Sequence, residues 1–184
     1  MYPGLEVAFL PGFAIARRLD KEGDIKRHLL LTPAFGLLTC LGLAGLCFIL
    51  EWSLDALTAM MIISNIIAFM AIRVELSPIQ VTNKIDREPW FWIFTTIACF
   101  IAITPLSYMR PMGVDWVGFA SLADAASKTG GFSLSHPSIG VWIYPPAFPM
   151  LAAWIGGPPH DAVFLLGTLC FVSLLMGIAA VGEK

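Results

Sequence analysis

Few side chains in this sequence could do chemistry, and their spacing excludes most familiar arrangements. Asp115 and Asp124 are nine residues apart, about 180° around a helix, so they cannot act as paired carboxylates on one element. His28, His136 and His160 are isolated and far apart, which gives no metal-ligand spacing. No metal and no cofactor is therefore expected. Cys40, Cys47, Cys99 and Cys170 all fall inside apolar segments and read as small packing residues rather than a disulfide framework. No phosphate-binding glycine loop or G-x-S-x-G elbow is present, and no nucleophile has a base placed for it. The chemistry that remains is concentrated between residues 112 and 157. That segment holds Asp115 at the start of a helical pattern, the Gly130-Gly131 stop, His136, and the run Tyr144-Pro145-Pro146-Ala147-Phe148-Pro149. Long structured loops carry function more often than short connectors do.

The elements that position this segment belong to a membrane. Hydrophobic residues make up 58% of the 184 residues and charged residues 13%, too few charges for a solvated surface on all sides. The apolar residues come in blocks, and four of these, 29–50, 56–74, 90–106 and 162–181, approach the roughly 20 residues a bilayer span requires. The fold class is all-α, a polytopic transmembrane helical protein with about four spans. An interfacial N-terminal helix and an outward loop with short surface helices complete it. Four regions follow: an amphipathic entry (1–28), three spans with a polar linker (29–111), the structured loop (112–160) and a final span (161–184).

Lys and Arg set the orientation. Arg17, Arg18, Lys21, Lys26, Arg27, Arg73, Lys84, Arg87 and Lys184 share one side if the chain crosses four times. Both termini are then cytoplasmic and loop 112–160 is extracytoplasmic, in a cell inner (cytoplasmic) membrane. A cleavable signal peptide is not expected, because Glu6 interrupts the short N-terminal apolar run and basic residues follow it instead of preceding it. A net charge of −2 gives nucleic acid no purchase.

Within the spans, Gly36, Gly42 and Gly45 with Ala34 and Ala44 give the first a small-residue face suited to close helix packing. Pro33 sits in its first turns. Asn65 needs a hydrogen-bond partner and should face the helix bundle. Segment 1–28 is too short in its apolar part to span, so it lies in the interface or re-enters. Arg17 and Arg18 at its end read as topology charges, with anionic lipid binding as the alternative. In the loop, the pattern from Asp115 to Lys128 places an acid at the helix start and a base at its end. Residues 147–155 form a second short helix along the membrane surface, with Trp142, Tyr144 and Trp154 in the interface.

The order of a span, an acid in a short helix ending Gly-Gly, an irregular stretch, YPP-x-FP and another span resembles the first extracytoplasmic loop of the GT-C superfamily. These are the multi-span glycosyltransferases that use polyprenyl-phosphate sugars. The entry Phe9-Leu10-Pro11-Gly12-Phe13, with basic residues and a small-residue-rich span after it, is similar to the start of prokaryotic GT-C-like proteins with extra leading helices. The resemblance covers nearly the whole chain in order. It implies that Asp115 is the catalytic base or a metal ligand near the donor phosphate, where a partly desolvated carboxylate could activate an acceptor hydroxyl. The alternative is a helix N-terminal charge. Tyr144, Pro145 and Pro146 would shape a substrate-binding wall or simply a rigid interfacial turn. His136 joins that wall or remains a solvent-facing loop residue.

Two departures bear on activity. Family members usually carry a histidine a few residues after the acid, often following glycine, whereas Gly118 is followed here by Phe119. The match also covers only the N-terminal part of such enzymes, which need several further spans to build the donor groove. The sequence therefore favours a GT-C-like subunit of a larger membrane complex, not catalytically complete alone, in contact with the bilayer and other membrane subunits. The alternative is a fragment or half of a split glycosyltransferase using a lipid-linked sugar. A channel or transporter is disfavoured, because apart from Asn65 the spans lack charged or broken elements.

Overall fold

A computed structural model describes residues 8–21, 25–74, 113–131 and 146–182. They form six helices: α1 (Phe9–Leu19), α2 (Ile25–Ile49), α3 (Leu54–Val74), α4 (Gly113–Thr129), α5 (Ala147–Ile155) and α6 (Pro159–Gly182). No strand occurs among the described residues; a single bridge links Ser53 to Gly131. Helices α2, α3 and α6 are each long and apolar enough to cross a membrane, and the protein is a helical membrane protein. They correspond to the spans expected over 29–50, 56–74 and 162–181; the one expected over 90–106 lies outside the described residues.

α2 and α3 form an antiparallel pair through a turn whose hydrogen bonds identify it. The Trp52 N–H donates to the Cys47 carbonyl at 2.8 Å and the Glu51 N–H to the Phe48 carbonyl at 3.1 Å, the two bonds of a Schellman stop. Glu51 takes the left-handed position, φ 54°, that glycine usually fills. Ser53 then caps α3, its hydroxyl accepting from the Ala56 N–H at 3.2 Å. α2 begins a turn earlier than the apolar block suggests, so Pro33 stands inside the helix rather than in its first turn. There it withholds a donor from the Leu29 carbonyl.

α1 packs along the first half of α2 and touches α3. Added side-chain atoms at Gly12 would collide with the Thr32 carbonyl and the backbone of Gly36, and at Gly36 with the Ala8 carbonyl. Only glycine at both places lets the two backbones cross this closely. Gly36 is eleven residues into α2, roughly 17 Å from its start. α1 is thus held lengthwise against α2. Its far end is tied down by the Arg27–Asp20 ion pair (3.0 Å) and by the buried His28 ring, whose Nε2 meets the Asp20 carbonyl at 2.7 Å.

The core lies at the other end. It gathers Cys40, Ala44 and Cys47 of α2, Leu57 and Met61 of α3, Ala120, Ala123 and Ala126 of α4, Met150 to Ile155 of α5, and Val163 and Leu166 of α6. The helix expected over 147–155 is present as α5, and α2, α4 and α6 surround it. Pro149, Met150, Leu151, Ala152, Ala153 and Ile155 are all buried. A helix apolar all round has no face to give to water and is enclosed by protein or lipid; here protein encloses it.

Candidate functional site

The loop residues fall on these elements as follows. Asp115 is in the first turn of α4. His136, Tyr144 and Pro145 lie outside the described residues. Pro146 is the N-cap of α5, φ −70°, its carbonyl accepting from the Met150 N–H at 3.2 Å. α4 ends where the sequence indicates, at Thr129, followed by Gly130 (φ 76°) and Gly131 (φ 159°). The Gly130 carbonyl takes the Leu54 N–H at 2.7 Å, which ties this stop to the α2–α3 turn.

The fold brings α4 and the proline run together. Phe119, one turn beyond Asp115, packs on Phe148 with ring centroids 5.1 Å apart. An alanine stripe, Ala120, Ala123 and Ala126, seats α4 in the core. Asp124, the other acid of α4, pairs with Lys128 at 2.6 Å in an exposed i,i+4 bridge, a minor contribution to stability. Trp154 of α5 donates its indole N–H to the Thr58 hydroxyl of α3 at 2.8 Å, so its polar edge serves helix packing. No group of three potential metal ligands occurs among the described residues. Asn65, half-buried in α3, donates to the Met61 carbonyl of its own helix at 2.8 Å.

Sequence reasoning missed a second feature, at the opposite end. α1 and α3 enclose a groove of about 270 Å³ lined by Pro11, Ala14, Ile15, Arg17 and Arg18 of α1, Thr39 of α2, and Ser64, Ile67, Ala68, Ala71 and Ile72 of α3. The Thr39 and Ser64 hydroxyls donate to the Phe35 and Met61 carbonyls, so their protons are used within their own helices. The interior is otherwise hydrocarbon, and among the described residues of its lining the only charges are two guanidiniums. The available signal was the i, i+4, i+7 spacing of Ser64, Ala68 and Ala71, which reads as ordinary packing until α1 is placed beside it. No protein-family model, curated protein or solved structure matches this chain.

Proposed function

We propose that this chain is a multi-pass subunit that packs against other membrane proteins and does not complete a catalytic site by itself. The carrying observation is how α2 uses its three glycines. Gly36 receives α1 and Gly45 faces Ala147 of α5, whereas an added Cβ at Gly42 meets none of the described residues within 4 Å. Gly42 lies exposed between Leu38 and Leu46, one turn to either side and both exposed. A glycine notch between leucines suits close approach by a helix from another chain, since small residues replace the absent hydrophobic drive between helices in lipid. The Phe119–Phe148 contact adds support, because packing occupies the place where the resemblance implies a histidine.

The orientation proposed with it has the termini cytoplasmic and the 112–160 segment outside, in the inner membrane. Arg17, Arg18, Lys26 and Arg27 lie at the α1–α2 junction and Arg73 in the last turn of α3, at one end of the helix pair. The α2–α3 turn and the α4 stop lie at the other.

The test is Gly42→Leu in the native membrane, with the size of the assembly read in mild detergent. The variant should keep its fold and lose its partners. A wild-type protein that purifies as a monodisperse, partner-free monomer overturns the subunit reading. The α4–α5 contact supports a second reading, a split glycosyltransferase acting on a polyprenyl-phosphate sugar, because it joins the Asp115 helix to the proline run. Asp115→Asn then abolishes sugar transfer in the complete assembly; unchanged transfer removes Asp115 from that role.

A further inference from the structure

We propose that the groove between α1 and α3 seats one anionic phospholipid, with an acyl chain inside and its phosphate at Arg17 and Arg18. The shape and the charge agree. Arg17 and Arg18 end α1 beside the start of α2, where a membrane helix meets the headgroups, and the groove runs inward from them to Thr39 and Ser64. Ser64 is ten residues from the end of α3 at Val74, roughly 15 Å, or half of a bilayer core about 30 Å thick. The channel thus extends from headgroup depth to the middle of the hydrocarbon. At about 270 Å³, close to the lower bound of small-molecule pockets at roughly 300 Å³, it has room for one acyl-chain segment.

The chemistry of the mouth selects the headgroup. Guanidinium forks match phosphate oxygens in pairs. Both arginines already have interactions within the protein, and a guanidinium with five N–H donors can serve a phosphate as well as a protein partner. Asp20, one turn of chain beyond them, pairs with Arg27 at 3.0 Å. The inner walls are Ala14, Ile15, Ala68 and Ala71 with hydroxyls already bonded, so a polar guest would lose its hydrogen bonds there. This seat is independent of whether the chain is a subunit or half of an enzyme.

The experiment uses the full chain purified in mild detergent from membranes, with bound lipid identified by native mass spectrometry. Wild type should retain phosphatidylglycerol in preference to phosphatidylcholine. Arg17→Gln and Arg18→Gln should each lower that retention about fivefold, the contribution expected of one basic residue at a membrane surface. Ala71→Trp, which fills the groove and keeps both arginines, should abolish it, while Lys21→Gln outside the groove should leave it unchanged. On the unmodified protein, dioctanoyl-phosphatidylglycerol should raise the unfolding temperature and inorganic phosphate should not. Undiminished retention in a folded Ala71→Trp variant, an equal shift with phosphate, or recovery of a polyprenyl phosphate in place of phospholipid overturns the proposal.

Discussion

The two ends of this molecule contrast in how they use conspicuous residues. At the α4–α5 end, the acid, paired glycines and aromatic–proline run stand out in the sequence, yet much of what is described there is packing. Phe119 meets Phe148, α5 is enclosed, and Trp154 hydrogen-bonds to Thr58. At the α1 end, Pro11 and two arginines that read as topology charges line a groove. Residue type alone therefore does not say which of the described side chains pack and which line a groove. Whether an element's faces are already taken by neighbours decides it.

The contrast can be broken from either side. Met150 is fully buried in α5, and Met150→Ala should destabilise the protein by about 2–5 kcal/mol, read as thermal unfolding in detergent. A near-neutral result would mean that α5 is not the centre of the core. Gly36→Leu should cost about 3 kcal/mol by overpacking, and its effect should be local. Amide exchange should speed up across α1 and stay unchanged in α4 and α5. Equal acceleration at both ends would show them to be one cooperative unit. Trp154→Phe removes the hydrogen bond to Thr58 and part of the ring's packing, and about 1–2 kcal/mol should be lost. The smallest effect is a gain. Glu51→Gly relieves a left-handed residue, and stability should rise by up to about 1 kcal/mol if the Schellman turn governs the α2–α3 junction.

The same contrast explains what could be read in advance. Spans α2, α3 and α6 were legible because stretches of 18 or more predominantly apolar residues with few charges have few alternatives to crossing a bilayer. The ends of α4 and α5 were legible because Gly130-Gly131 and Gly156 stop helices by their own backbone preference, whatever surrounds them. The enclosure of α5 was not, since an all-apolar helix can be covered by lipid or by protein and its composition is the same in both cases. Nor was the groove. Gly12 and Gly36 are separated by 24 positions in the chain, and nothing local says that one backbone will rest on the other.

The sequence by itself determined an all-α membrane protein, its three described spans, and the positions of its helix stops. Those properties follow from apolar run length and backbone dihedral preference, which act over a few neighbouring residues. Only the tertiary structure decided that α4 and α5 supply core, that Phe119 is a packing residue, and that Arg17 and Arg18 line a hydrocarbon groove. Those depend on which helix faces meet, and that choice is made by shape complementarity between segments far apart in the chain.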